Sequence, residues 1–166
     1  GHVTGVQTCA LPISSFSPRT GLFYIPAWVD TSSYFVKGDD EYKEGNRYVG
    51  GMNRSSFAMN RGAQNNTRKP EDGHGAVVAV DARTGEKKWQ FDFADVTDSG
   101  ILTTASDLLF TGNREEFFMA LNARTGEMLW KTALGGQAAN GPMTYSVGGK
   151  QYVAIAAGNA LFVFGL

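Results

Sequence analysis

The chain has 166 residues, of which 42% are hydrophobic and 19% are charged, as is ordinary for a globular protein with its own core. Fifteen basic and sixteen acidic side chains leave a net charge of −1, so the sequence shows no electrostatic footprint for nucleic acid or for an anionic membrane. No apolar run reaches the roughly 20 residues that span a bilayer. Twenty-one glycines, eleven phenylalanines and six tyrosines favour short strands joined by tight turns.

The N-terminal segment differs from the rest of the chain. Residues 3–13 resemble a translated sequencing-library adapter, so we interpret residues 1–13 as artefactual and set them apart from the fold. Cys9, the only cysteine, lies in this segment. The remaining sequence therefore offers no residue for a disulfide, a zinc thiolate or a thiol nucleophile.

Residues 79–89 and 120–130 are two copies of one unit. Seven of their eleven positions are identical at a fixed offset of 41 residues. Each copy has a β-rich run, a polar turn that ends in Thr-Gly, and a second β-rich run, which together indicate a hairpin. A period of this length is typical of propeller blades and solenoid repeats.

The repeat predicts two four-stranded units and three further strands. The predicted strands lie at residues 15–19, 22–27, 75–80 and 86–93, then at 101–105, 108–112, 117–122 and 127–134, and finally at 141–147, 150–157 and 160–164. With residues 31–73 treated as a long loop insertion, each four-stranded unit has 39 residues. We therefore predict an all-β fold, a partial β-propeller that exposes unpaired strand edges until further strands close the ring.

Three stretches resemble one family, the PQQ-dependent (quinoprotein) alcohol dehydrogenases, which are eight-bladed propellers. The repeat is similar to their tryptophan-docking motif, residues 17–27 are similar to a segment shortly before the final docking motifs, and residues 141–154 resemble their last blade. The resemblance implies that residues 14–166 are the C-terminal part of such a propeller. It also implies that the indole of one blade packs flat against the next blade.

The resemblance assigns a structural docking role to five positions of each repeat. Asn122 replaces the usual aspartate of the motif, and both side chains can cap a turn by accepting backbone hydrogen bonds. The docking positions are Ala79, Asp81, Thr84, Gly85 and Trp89 in the first copy, and Ala120, Asn122, Thr125, Gly126 and Trp130 in the second.

The resemblance further implies a periplasmic enzyme that oxidises an alcohol to an aldehyde with PQQ and Ca²⁺ (or another metal ion) and passes electrons to a cytochrome c. The family's catalytic aspartate and metal ligands would lie upstream, so no catalytic or metal-binding residue is assigned here. No Cys-x-x-Cys-His motif is present, so a cytochrome would be a separate chain or another domain. The competing hypothesis is a non-enzymatic propeller that binds proteins, of the outer-membrane assembly scaffold type.

Candidate cofactor contacts lie in two loops at the end that faces the cofactor in the family. Carboxylate and amide groups there could bond quinone oxygens, although polar residues are also common in ordinary hairpin turns. These candidates are Asp98, Ser99 and Gly100 before one strand, and Gly158 and Asn159 after another.

Trp28 is the one tryptophan outside the repeat, and it stands where the insertion begins. Its position is compatible with two roles. It could line the substrate cavity, since ligand pockets are rich in aromatic side chains, or it could anchor the base of the loop.

Overall fold

The computed structural model describes residues 13–29, 41, 43–45 and 73–166. Of the predicted artefactual segment, residues 1–12 lie outside the described part of the chain and Ile13 lies within it. Most of the predicted insertion at 31–73 also lies outside it. The described residues form three antiparallel sheets, which confirms the predicted all-β fold. The first sheet contains β1 (Ser15–Ser17), β2 (Leu22–Val29), β3 (His74–Asp81) and β4 (Lys87–Asp92). The second contains β5 (Ile101–Thr103), β6 (Leu108–Gly112), β7 (Phe117–Asn122) and β8 (Met128–Ala133), and the third β9 (Met143–Val147), β10 (Lys150–Ala157) and β11 (Ala160–Gly165).

Two predicted strands end earlier than expected because turns begin inside them. β1 stops at Ser17, whose carbonyl oxygen accepts the Gly21 amide at 2.9 Å. β5 stops at Thr103, because the next residue, Thr104, accepts the Asp107 amide at 3.2 Å across the hairpin. The hydrogen bonds of these turns start four residues before Gly21 and three residues before Asp107, the glycine and aspartate that signal the turns in the sequence.

The hairpins of the two repeat copies have the same geometry. The strands shift register between Ala79 and Val80 in the first copy and between Ala120 and Leu121 in the second, which marks a β-bulge beside each tryptophan. Each turn ends on a glycine with positive φ, which a side chain would disfavour. The values are +73° at Gly85 and +77° at Gly126.

The inner strands of the second sheet, β6 and β7, are buried on both faces because the sheet lies between the other two. Successive residues of β7 point to opposite faces, so Met119 and Leu121 pack toward the first sheet and Phe118 and Ala120 toward the third. This explains why its sequence is a continuous apolar run rather than an alternation. The sheets therefore stack face to face in chain order.

The third sheet leaves apolar side chains exposed. Met143 and Val147 on β9 are 62% and 61% exposed, and Leu161 on β11 is 69% exposed. In the described part of the chain, no other sheet packs over these side chains.

The antiparallel order divides the loops between two ends of the stack. The turns β1–β2, β3–β4, β5–β6, β7–β8 and β9–β10 lie at one end, called here the docking end. The other end is called here the connection end. It carries the links β4–β5 and β8–β9 and the turns β6–β7 and β10–β11. β2 also ends there, at Val29, and β3 begins there, at the paired residue His74. All the candidate cofactor contacts therefore lie at the connection end, together with Trp28.

Candidate functional site

The connection end is organised by a close approach of backbone to backbone at Gly75. A Cβ atom at this position would lie 2.6 Å from the Thr97 nitrogen and 2.8 Å from the Asp95 carbonyl oxygen. The β4–β5 link therefore lies directly on β3, and the Gly75 amide donates to the Asp95 oxygen at 2.9 Å. Trp28 is the cross-strand partner of Gly75, and its indole Nε1 donates to the Thr97 carbonyl oxygen at 2.7 Å.

Asp98 follows Thr97 and forms an ion pair with Arg114 from the β6–β7 turn. The Arg114 Nε donates to Asp98 Oδ2 at 2.7 Å, and its Nη2 donates to the same oxygen. The Arg114 guanidinium lies over the Trp28 ring, with 5.9 Å from Cζ to the ring centroid, within the range of a cation–π contact. Two predicted site residues, Trp28 and Asp98, are thus brought together by an arginine that sequence reasoning did not single out.

Ser99 is buried, and its hydroxyl is used within the fold. Its Oγ donates to the Asn140 carbonyl oxygen at 3.0 Å and accepts the Gly112 amide at 2.9 Å. Gly100 is also buried, and its amide lies 3.3 Å from the same Asn140 oxygen. These two residues therefore tie the second sheet to the β8–β9 link.

Gly158 and Asn159 form the exposed turn between β10 and β11. The Gly158 amide donates to the Gln137 carbonyl oxygen at 3.0 Å, and a Cβ atom at Gly136 would lie 2.9 Å from the Gly158 nitrogen. The β8–β9 link thus contacts both predicted cofactor loops, through Asn140 on one side and Gln137 on the other.

At the docking end, Trp89 crosses from the first sheet to the second. Its Nε1 donates to the Ala123 carbonyl oxygen at 3.1 Å, and its ring covers Gly126, where a Cβ atom would lie 2.6 Å from Trp89 Cε3. The hydroxyl of the buried Tyr24 donates to the same Ala123 oxygen at 3.0 Å. Burial raises the pKa of Tyr24 above its ordinary value.

The two repeat turns are capped by the side chains that the motif places there. Asp81 accepts the amides of Arg83 and Thr84 at 2.9 and 3.1 Å, and these hydrogen bonds lower the pKa of Asp81. Asn122 accepts the Arg124 amide at 2.9 Å, so the amide side chain also caps its turn. Thr84 and Thr125 each accept the amide two residues ahead, at 3.3 Å.

Trp130 reaches the third sheet but is less enclosed than Trp89. It packs edge to face on Phe164 of β11, with ring centroids 5.3 Å apart, and remains 41% exposed. Its cross-strand partner is the buried Ala120, as Ala79 is the partner of Trp89.

Asp107 joins the first two sheets at the docking end. Its carboxylate accepts Arg19 Nε at 3.0 Å from the first sheet and Arg124 Nε at 2.9 Å from its own sheet. The hydrogen bond from Arg19, followed by that from Arg124, holds the pKa of Asp107 below its ordinary value. The long-range partners of Asp107 give no signal in the sequence.

Replacing Asp107 with asparagine is expected to lower stability at neutral pH and to flatten its acid dependence. A carboxyl whose pKa is lowered by folding stabilises the native state above its unfolded pKa, near 3.9, and loses that contribution as pH falls through the folded value. Urea unfolding of the wild type and Asp107→Asn between about pH 2 and 7 measures this difference. Adding Arg19→Gln to Asp107→Asn should cost less than Arg19→Gln costs alone, and full additivity would contradict the pairing.

The part of the chain that the structure describes contains no candidate metal site. No group of three or more His, Cys, Asp or Glu side chains is placed to hold an ion there. His74 lies at the start of β3, and its Nε2 is 3.2 Å from Asp92 Oδ1. Within the described ranges, no helix is long and apolar enough to cross a membrane.

The chain is similar to a known repeat family and to several characterised proteins. A family model, PQQ_2, described as outer membrane protein assembly factor BamB, matches residues 73–164. A quinoprotein ethanol dehydrogenase of Pseudomonas putida is 33% identical over 144 residues, which are 87% of this chain and 21% of that protein. The 1-butanol dehydrogenase (cytochrome c) of Thauera butanivorans is 32% identical over 145 residues, 87% of this chain and 20% of that protein.

A solved structure shares both the fold and part of the sequence. The quinohaemoprotein alcohol dehydrogenase of Pseudomonas putida HK5 matches with a TM-score of 0.67 and 27% identity, over 91% of this chain and 22% of that one. This likeness confirms the prediction of a partial β-propeller, with each sheet as a blade. The chain spans about a fifth of the length of the curated relatives it matches.

Proposed function

The chain belongs to the PQQ_2 family, which is described as outer membrane protein assembly factor BamB, and we propose that it is the C-terminal part of the propeller of a PQQ-dependent alcohol dehydrogenase. The observation that carries this proposal is the 33% identity to a quinoprotein ethanol dehydrogenase across 87% of the chain. In the proposed protein, residues 14–166 supply two blades and three strands of the final blade of an eight-bladed ring.

The proposed enzyme oxidises an alcohol to an aldehyde in the periplasm and passes the electrons to a cytochrome c. PQQ, when bound, accepts the electrons taken from the alcohol, and Ca²⁺ or another metal ion polarises its quinone. The electron acceptor is supported by the printed name of the 1-butanol dehydrogenase (cytochrome c). The metal ligands and the catalytic base belong to other parts of the proposed protein.

Some of the proposed cofactor contacts fit a planar quinone with carboxylate groups better than others. Trp28 offers a half-exposed aromatic face, and Arg114 is a cation beside it. The Ser99 hydroxyl is buried and bonded on both sides, and Asp98 Oδ2 is occupied by Arg114, so these side chains suit a supporting role. Gly158 and Asn159 are exposed at the same end and remain candidates for direct polar contact.

The docking residues have a distinct task in this proposal. Trp89, with Gly126 and the Ala123 carbonyl, fastens the first blade to the second at the end opposite the candidate contacts. Ser99 fastens the second blade to the link that enters the third. We propose that these contacts fix the relative position of the loops that surround the cofactor.

A protein-binding scaffold is the second candidate, because the matching family model carries the name of an outer-membrane assembly factor. The relatives that align over most of the chain carry dehydrogenase names, which supports the enzyme more than the scaffold. The two functions differ in an axial site for a cofactor, which only the enzyme requires.

Cofactor binding tests the proposed function in the complete gene product that carries this chain. We expect PQQ to bind at one site per chain in the presence of Ca²⁺ or another metal ion, and an alcohol to reduce a dye only when both are present. Removing the metal with a chelator is the control and should abolish dye reduction. Absence of metal-dependent PQQ binding would reject the dehydrogenase and leave the scaffold.

A further inference from the structure

We propose that Arg114 and Trp28 together form an anion subsite that holds a carboxylate of a planar aromatic ligand at the connection end. The inference rests on the proposed function, under which this ligand is PQQ. It adds a cofactor-anchoring residue, Arg114, that lies outside the repeat motif, and it changes the expected role of Asp98 from a direct contact to a positioning residue.

The Arg114 guanidinium is held in one orientation. Its Nε and Nη2 both donate to Asp98 Oδ2, which uses one edge of the planar group. Both of these hydrogen bonds involve Nε and Nη2, and neither involves the Nη1 amino group. The edge formed by Nη1 and Nη2 has the geometry to take a carboxylate, because guanidinium and carboxylate form paired, charge-assisted hydrogen bonds.

The indole of Trp28 is fixed in position and only half buried. Its Nε1 bond to the Thr97 carbonyl holds the ring plane, and Trp28 is nevertheless 52% exposed. A large aromatic ring held rigidly at the surface gives a ligand a flat apolar face without an entropic cost to the protein. The same ring lies under the guanidinium, so the apolar face and the cation adjoin.

These contacts contribute little to the stability of the fold. The side chains of Arg114 and Asp98 are 27% and 35% exposed, and an ion pair with this much water contributes little to stability. The exposed part of Trp28 contributes no hydrophobic stabilisation. The fold therefore gains little from holding the three side chains together, whereas a preorganised cation beside an aromatic face favours an anionic ring system.

The charges of Arg114 and Asp98 decide which of the two meets an anionic ligand. Asp98 neutralises one side of Arg114, so a ligand carboxylate meets a guanidinium that is already oriented and only partly compensated. A direct contact between Asp98 and a carboxylate ligand would bring like charges together, which is unfavourable. Asp98 therefore acts through Arg114, and Arg114 is the group that touches the ligand.

The test compares arginines at the two ends of the complete gene product. Arg114→Gln removes the cation, and Arg124→Gln is the matched control, because Arg124 also pairs with an aspartate but lies at the docking end. Equilibrium titration with PQQ in the presence of metal is expected to show affinity about ten- to hundredfold weaker for Arg114→Gln and unchanged for Arg124→Gln. The wild-type affinity should also fall more steeply with salt than that of Arg114→Gln.

A second variant keeps the proposal testable if Arg114→Gln does not fold. Arg114→Lys retains the charge but not the planar edge, so its PQQ affinity should fall severalfold. If either folded variant binds PQQ as the wild type does, the subsite is wrong while the proposed function stands. If the wild type itself fails to bind PQQ, both the proposed function and this inference are wrong.

Discussion

Replacing Trp89 with alanine is expected to lower the free energy of unfolding of the chain by about 3 kcal/mol. The indole packs on Gly126, donates to the Ala123 carbonyl, and lies 5.7 Å from the ring of Tyr24. Its removal leaves a cavity between the first two blades and takes one donor from a carbonyl that it shares with the Tyr24 hydroxyl. Urea unfolding followed by circular dichroism measures the change.

Trp130 is the matched control for this substitution, since it occupies the same position of the second repeat. It is 41% exposed, and its ring packs on Phe164 of the next sheet. Trp130→Ala should therefore cost distinctly less in this chain, about 1–2 kcal/mol, because less apolar surface returns to water. Equal losses in the free energy of unfolding at the two positions would contradict a docking role for Trp89 that depends on its contact with the turn at Gly126.

Replacing Gly126 with alanine is expected to lower the free energy of unfolding by about 2–4 kcal/mol. The backbone at Gly126 has φ +77°, which costs an alanine about 1 kcal/mol or more. The new Cβ atom would also lie 2.6 Å from Trp89 Cε3, so the indole must move away from the turn, and such overpacking costs about 1–3 kcal/mol.

Gly85 separates these two causes. It has φ +73°, but a Cβ atom there has no heavy atom within 4 Å. Gly85→Ala should therefore show only the backbone cost of about 1 kcal/mol. The fluorescence of Trp89 should change in Gly126→Ala and not in Gly85→Ala, and a similar loss of stability in both variants would show that the contact with the indole is unimportant.

Both predictions concern the docking end, whereas the proposed chemistry belongs to the connection end. The antiparallel order of each blade places the repeat turns and the inter-blade links at opposite ends. A substitution that weakens docking is thus expected to lower the stability of the chain more than its cofactor affinity. Arg114→Gln should show the reverse pattern, which separates an anchoring residue from a structural one.

The strand pattern was predictable from the sequence because it rests on local signals. The Thr-Gly turns, the β-rich runs and the two copies of the repeat predicted all eleven strands to within two residues at every boundary. Asn122 was expected to cap its turn as an aspartate would, and it accepts the Arg124 amide. Each of these features involves residues that are close in the chain, where backbone geometry and side-chain chemistry suffice.

The partners across sheets were decided only by the tertiary structure. Nothing in the residues around Arg114 or Asp107 indicates that the first lies over Trp28 or that the second accepts Arg19. Such contacts depend on the stacking of one sheet on the next and on the approach of the β4–β5 link to Gly75, where the absence of a Cβ atom brings Thr97 to Trp28. The sequence by itself thus determined the blades and their turns, because hydrogen bonding and strand periodicity are local. The tertiary structure decided which side chains meet at the connection end, because packing between sheets joins residues that no sequence period relates.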